Sequence, residues 1–297
     1  MSKALSGVVV GVDVGTASDA AVELAADLAA RHGRPLLLLH VLELTVLTGP
    51  LPFAVDIERL QAAREVMLAD QAVELCRRHP SVEISSAVAV GNAAATLAEA
   101  SRTAWTVVVG CRGRGGFTEL LLGSVSAQLC EHAHGPVIVA RPAEPGQGPS
   151  PGLPVVVGVD GSPGSEAAVG YAYAEADSRD VALVVRHVWW LPGGEGIAPA
   201  GGRPVDLASL EEEAGRVVAE VVAGWSATFP DVDVQVRLSH GSDPEAALVE
   251  ASAHACLVVV GSRGRGGFAG LLLGSVSQAL VHHAGCPVAI VRSHRAP

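Results

Sequence analysis

The sequence predicts two tandem doubly wound α/β domains, and three observations carry that prediction. The chain is one unit written twice, β-branched runs alternate with helical periodicity in each half, and a proline- and glycine-rich stretch divides them. Residues 107–126 read VVVGCRGRGGFTELLLGSVS and residues 258–277 read VVVGSRGRGGFAGLLLGSVS, differing at Cys111/Ser262, Thr118/Ala269 and Glu119/Gly270. Upstream, VVVGVDVGTASDAAV (8–22) answers VVVGVDGSPGSEAAV (155–169). Asp13 and Asp160 lie 147 positions apart, as do His40 and His187, whereas Gly110 and Gly261 lie 151 apart. A short loop insertion separates these blocks. Other stretches keep pattern but little identity, so something holds the glycine segment more tightly than its surroundings.

The elements follow in order. In the first half, residues 7–13, 35–41, 82–90, 105–110 and 136–140 are short and apolar on both parities, which predicts strands covered on both faces. Residues 18–32, 57–79, 92–103 and 124–134 carry apolar side chains at three- and four-residue spacing, which predicts helices. The second half repeats the strands at 155–160, 181–188, 232–239, 256–261 and 287–291. Strand–helix alternation with short connections makes a parallel sheet with right-handed crossovers. Between the halves, residues 142–154 contain five prolines and three glycines, a stretch poor in hydrogen-bond donors. The expected organisation is a first domain over 1–141, a linker over 142–153 and a second domain over 154–297.

Composition narrows the function classes. The 297 residues carry a formal charge of −11, with 49% apolar and 17% charged side chains. That is ample for packed cores, and it argues against a nucleic-acid binder, which needs a basic stripe, or adhesion to an anionic membrane. No uninterrupted apolar stretch reaches the ~18 residues of a membrane helix. Residues 1–6 show one cation and no apolar core, so no export signal is expected. Five scattered cysteines, none in C-x-x-C spacing, read as reduced, mostly buried thiols, and the expected location is cytoplasmic. Lys3 is the only lysine, which rules out a Schiff-base lysine in a core and a lysine-containing phosphate loop.

A parallel doubly wound sheet places its ligand beyond the strand C-termini. After the fourth strand, Gly110, Gly113 and Gly123 precede Ser124 in the spacing G-x2-G-x9-G-S, and Gly261, Gly264, Gly274 and Ser275 repeat it. Ser124 is expected to cap the following helix, so free amides and the positive dipole end point at the sheet edge. Glycines let the main chain approach a ligand closely, which makes an anion cradle. Arg112, Arg114, Arg263 and Arg265 add positive charge beside it. A few hydrogen bonds to a phosphate, at ~1.5–3 kcal/mol each, outweigh a net-negative field screened beyond ~8 Å. The plain alternative is a glycine loop without a ligand. At the end of the first strand, Gly11-Val12-Asp13 and Gly158-Val159-Asp160 put an acid beside the same crevice over a low glycine floor. That acid suits ribose hydroxyls or an adenine amine, or caps the next helix, and the two roles are compatible.

These residues resemble the ATP-binding branch of the universal stress protein family in tandem form, over nearly the whole chain. The resemblance implies a five-stranded parallel sheet in order 3-2-1-4-5 and one ATP cleft per domain. It implies that Asp13 and Asp160 meet the ribose, while the main chain of Val41 and Val188 meets adenine. The phosphates would lie on Gly110, Gly113, Arg114, Gly115, Gly116, Gly123, Ser124 and Val125. In the second half they would lie on Gly261, Gly264, Arg265, Gly266, Gly267, Gly274, Ser275 and Val276. One departure is Val14-Gly15 after Asp13, where the family pattern has Gly-Ser, as kept at Gly161-Ser162. The family also implies pairing through the last strand, giving an intramolecular pseudo-dimer of residues 136–140 and 287–291 or a homodimer.

Other features point elsewhere. His132, His134, His282 and His283 suit helix C-termini by their positive bias, and no set of carboxylates or cysteines completes a metal site at recognisable spacing. Cys111 aligns with Ser262, so a redox role is not required by the loop. Residues 189–203 read as a lid over a nucleotide or as a plain long loop. Three functions remain: a nucleotide-dependent regulatory module in stress or growth control, a slow ATPase or adenylyl-transfer enzyme, and a flavin carrier on the same architecture. The duplicated parts are binding parts, and no catalytic set is visible; Glu119, the acid within the glycine loop, is Gly270 in the other copy. The regulatory reading is favoured, with ATP and Mg²⁺ as ligands and a protein partner that the sequence does not identify.

Overall fold

Runs of valine and leucine form the strands in the computed structural model, which describes residues 6–13, 19–43, 56–111, 122–141, 152–189, 207–241, 243–265 and 272–293. The chain divides into two units, Met1–Pro142 and Ala143–Pro297. The linker placed at 142–153 lies mostly outside the described residues.

The first unit contains β1 (Val8–Gly11), β2 (Leu36–Leu42), β3 (Ile84–Val90), β4 (Thr106–Gly110) and β5 (Val137–Ala140). All pair in parallel in the order β3-β2-β1-β4-β5, with Val8 opposite both Leu36 and Thr106. The helices are α1 (Asp19–Arg31), α2 (Ile57–Arg78), α3 (Ala93–Ala100) and α4 (Ser124–His132). From β1 the chain steps one way to β2 and β3, then jumps back across to β4 and β5. With right-handed crossovers, that reversal puts α1 and α2 on one face and α3 and α4 on the other.

The second unit repeats the plan. Its strands are β6 (Val155–Gly158), β7 (Leu183–Trp189), β8 (Val234–His240), β9 (Leu257–Gly261) and β10 (Val288–Val291), in the order β8-β7-β6-β9-β10. Its helices are α5 (Pro163–Arg179), α6 (Leu207–Ser226), α7 (Pro244–Ser252) and α8 (Ser275–His283). Here α5 packs on α6, and α7 on α8.

The sheet centre is dry. Val8, Val9, Val10, Val107 and Val108 are at most 1% exposed. Each such burial stabilises by about 1.5–3 kcal/mol, so the positions of the strand ends are fixed by the core. In α1 the buried face is Ala21, Val22, Ala25, Ala26, Leu28 and Ala29, small residues that let the helix lie close to the strands. Helix starts are set by side chains: Asp56 accepts from Arg59 N, Asn92 from Ala95 N and Asp243 from Ala246 N.

One expectation is corrected. The runs at 82–90 and 232–239 were expected to be covered on both faces, yet β3 and β8 are edge strands with much of their surface open. Val90 is 42% exposed and Val236 46%. The cause is topological. Each edge strand is packed by the helix before it, while the helix after it, α3 or α7, lies over β2 or β7 instead.

Candidate functional site

In both units the winding reverses at one pair of neighbouring strands, β1 and β4 or β6 and β9, and the crevice opens beyond their C-termini. The second unit shows this place most fully. β6 ends at Gly158, where a Cβ would approach Leu248 Cδ1 to 2.8 Å and Val260 Cγ1 to 3.1 Å. Gly11 stands likewise against Leu97 and Val109. These glycines thus make room for the side chains of α7 and α3, a packing duty that the sequence reading did not assign.

One residue on, the Val159 carbonyl accepts from His187 Nδ1 at 2.6 Å, as the Val12 carbonyl does from His40 Nδ1 at 2.7 Å. Because a carbonyl only accepts, this bond places the ring proton on Nδ1 in each histidine. Both rings are buried, and each ties the segment after the first strand to the second strand.

Asp160 follows, half-buried. Its Oδ1 accepts from Ser162 N at 3.0 Å and from Ser162 Oγ at 2.6 Å, a turn closed by the side chain. Its Oδ2 accepts from the main-chain amide of Arg265 at 2.7 Å, across 105 residues of sequence. Burial pushes this carboxyl up, but the donors from Ser162 and from the Arg265 amide outweigh it and hold the group below the ordinary aspartate value. The clasp depends on glycine: a Cβ on Gly264 would collide with Asp160 Oδ2. Ser162 has a second task as the N-cap of α5, accepting from Ser165 N at 3.3 Å, with Pro163 in the first helical turn.

The glycine connection is also tied at its root, identically in both units. Gly123 N donates to Cys111 O at 2.7 Å and Gly274 N to Ser262 O at 2.8 Å. Ser126 Oγ donates to Gly110 O at 2.6 Å, and Ser277 Oγ to Gly261 O at 2.7 Å. The last strand residue and the next helix are therefore stitched together below the loop. Gly261 permits one more close approach, since a Cβ there would lie 2.8 Å from the carbonyl carbon of Gly164 at the start of α5.

One cap differs from expectation. Gly123 and Gly274, both extended, occupy the N-cap positions of α4 and α8, and Ser124 and Ser275 are the first helical residues. Neither cap makes a side-chain hydrogen bond. The serine that bonds backward is Ser126 or Ser277, two residues later, which reaches the strand carbonyl instead of a helix amide. The helix start still faces the crevice with its positive end and no side-chain acceptor.

Of the predicted residues, Asp160, Gly264 and Arg265 meet directly, and Gly261 and Gly274 are linked through Ser262. Val125 and Val276 sit in the first turns of α4 and α8. Val41 and Val188 occupy the penultimate positions of β2 and β7. Asp13 stands exposed at the end of the segment after β1. Gly113, Arg114, Gly115, Gly116, Gly266 and Gly267 lie outside the described residues, as does the proposed lid beyond Trp189. A cavity of about 620 Å³ opens between α5 and α6 beside Gly161 and Arg265, with Glu166, Glu220 and Trp225 among its walls. Arg265 is the one predicted site residue on its lining.

The sequence reading gave no role to Ser126, Ser277, Ser162, His40 or His187. Four of these were detectable as identities retained between the halves. Among the described residues, no group of three or more His, Cys, Asp and Glu side chains stands together to hold a metal ion, and no helix is long and apolar enough to cross a membrane. No disulfide joins the cysteines, and Cys111, Cys130 and Cys286 are buried.

Each unit is thus a doubly wound α/β domain with an acid just beyond its first strand at the reversal, and in the second unit that acid is clamped by Ser162 and the Arg265 amide. Residues 6–141 and 153–292 each match the universal stress protein family. A universal stress protein of Mycolicibacterium smegmatis is 40% identical over 292 residues, 96% of this chain and 97% of the relative. One of Mycobacterium tuberculosis is 38% identical over 308 residues, covering 98% of this chain and 96% of its own length. Among solved structures, a universal stress protein from Archaeoglobus fulgidus DSM 4304 superposes with a TM-score of 0.69 at 22% identity, covering 97% of both chains, a likeness of fold. The chain belongs to the universal stress protein family, as a tandem of two such domains.

Proposed function

We propose that the protein is a nucleotide-dependent regulatory module of stress response or growth control, acting in the cytoplasm and taking ATP with Mg²⁺ at the strand-end crevice of each domain. One observation carries the reading: the carboxylate of Asp160 holds the Arg265 amide, so the glycine connection is fastened over the reversal point of the sheet. The same carboxylate, fixed at the strand end by Ser162 N, Ser162 Oγ and Arg265 N, is the acceptor for a ribose hydroxyl. The start of α8, with no side-chain cap, supplies amides to the phosphates, and the Arg265 guanidinium adds charge. Adenine lies by the main chain of Val188. In the first domain Asp13, Val41 and the root at Gly110 and Gly123 take the corresponding places. The family resemblance, with G-x2-G-x9-G-S present twice, supports the choice of ATP.

Extraction of freshly purified protein by heat, followed by chromatography of the supernatant, is expected to release ATP. Calorimetric titration of nucleotide-free protein with Mg-ATP is expected to show saturable binding. Heat-extracted supernatant free of nucleotide, together with no binding at millimolar ATP, refutes the reading. Single-turnover phosphate release faster than about one per second would make the protein an enzyme instead.

A further inference from the structure

We infer that Arg186 and Arg237 form an anion site of the second domain, which takes one phosphate group between their two guanidiniums. The site does not depend on the ATP reading. Register places the pair. Arg186 on β7 lies opposite Gly158 of β6 on one side and opposite Arg237 of β8 on the other. Neighbouring strands run about 4.8 Å apart and register partners send their side chains to the same face, so the two arginines leave the sheet side by side. That face is the one under α7, because a Cβ on Gly158, the third member of the row, would meet Leu248 of that helix. The same row in the first domain is Gly11, Leu39 and Ala87, and Leu39 is buried. The second domain thus carries two charges where the first has two apolar side chains.

These charges are not answered within the domain. Arg186 is half-buried, and its Nε is buried with no hydrogen-bond partner. Arg237 is exposed, and its side-chain hydrogen bond among the described residues runs from Nη2 to Gln235 Oε1 at 3.3 Å. Among the described residues neither guanidinium forms an ion pair. Like charges directly opposite on neighbouring strands cost stability, and so does a buried donor left without an acceptor. One dianionic phosphate offers acceptors to both guanidiniums and removes both costs, since the planar N–H pairs of arginine match adjacent phosphate oxygens. Chloride has neither the second charge nor the paired acceptors. The Arg186 carbonyl also accepts from Val159 N at 2.9 Å, one residue before the clamped Asp160. An anion on the pair therefore rests against the strand that supports the acid of the crevice.

The test is NMR titration of the isotopically labelled, full-length protein with inorganic phosphate at constant ionic strength, with chloride as the compensating ion. The Arg186 Nε–Hε resonance, assigned by its loss in Arg186→Leu, is expected to move saturably with a dissociation constant of about 1 mM or below. Arg237→Ala is expected to weaken that constant at least about tenfold. Phosphate at ten times its dissociation constant multiplies the folded-to-unfolded ratio about elevenfold, a rise of about 2–4 °C in melting temperature. Arg186→Leu, which installs the first domain's residue, abolishes this rise. Without phosphate it melts no lower than wild type, because the repulsion leaves with the guanidinium, whereas a purely structural arginine would leave a less stable domain. Should Arg186→Leu fail to fold, Arg237→Ala, at an exposed edge position, decides alone. Phosphate held at the glycine connections survives both variants and is thereby told apart. A parallel titration with glycerol phosphate separates the sources: a response to both ligands assigns the site to phosphomonoesters as well, and a response to inorganic phosphate alone assigns it to the free ion. A resonance that follows chloride as it follows phosphate, or a phosphate constant unchanged by Arg237→Ala, overturns the inference and leaves the ATP reading standing.

Discussion

Asp160→Asn isolates the clasp between the first strand's acid and the glycine connection. The substitution keeps the shape of the side chain but leaves one acceptor oxygen where the carboxylate has two. That oxygen can face Ser162, as Oδ1 does, or the Arg265 amide, as Oδ2 does at 2.7 Å, and the amide group then meets a donor. A hydrogen bond to a charged acceptor contributes about 1.5–3 kcal/mol net, and the half-exposed position places this one near the lower figure. A loss of about 1.5 kcal/mol shifts the opening equilibrium of the Arg265 amide about tenfold. Hydrogen–deuterium exchange reads this directly. The Arg265 amide is expected to exchange about tenfold faster in the variant, while Val258, Val259 and Val260 within β9 keep their wild-type rates. Gly264→Ala, whose Cβ would collide with the same oxygen, is expected to reproduce the effect without altering charge. An Arg265 amide that exchanges equally fast in all three proteins refutes the clasp.

Ser126→Ala and Ser277→Ala each remove a hydroxyl bond to the last strand carbonyl, at 2.6 and 2.7 Å, and should cost about 1 kcal/mol, or about 2–4 °C in melting temperature by calorimetry. An unchanged melting point in both would show the root to be held by other contacts. Gly158→Ala should destabilise more than Gly11→Ala, because its Cβ would meet Leu248 at 2.8 Å while Gly11 meets Leu97 at 3.1 Å, within an overpacking range of about 1–3 kcal/mol. Chemical denaturation gives the order, and the reverse order contradicts the packing account. Asp160 also sets a pH dependence. Its folded-state value lies below the ordinary 3.8, so its stabilising effect is complete above that pH and fades as acid protonates the folded form. The stability gap between wild type and Asp160→Asn should therefore narrow below about pH 4, and a gap that widens on acidification would contradict the sign.

Much of the fold was legible because the valine runs and the repeat both report burial, and burial is what the core selects. The helix predicted at 57–79 runs from Ile57 to Arg78, and the strand predicted at 105–110 from Thr106 to Gly110. What periodicity did not show was which strands are central. Residues 82–90 have a core-like composition, yet their place at the sheet edge is fixed by the crossover back to β4, a long-range fact. In the crevice, Asp160 and Gly264 were identifiable by residue type and position. The bonds of Ser162, Ser277 and His187 were not, because each links groups whose proximity only the fold creates. The cap expected of Ser124 fell to Gly123 for a related reason: the connection closes on Cys111 through the Gly123 amide, and the serine that bonds is Ser126, to the Gly110 carbonyl.

The bond from Gly274 to Ser262, with its counterpart from Gly123 to Cys111, draws the two ends of each glycine connection together like a neck. Chain added, removed or exchanged above the neck leaves the strand and helix beneath it in register.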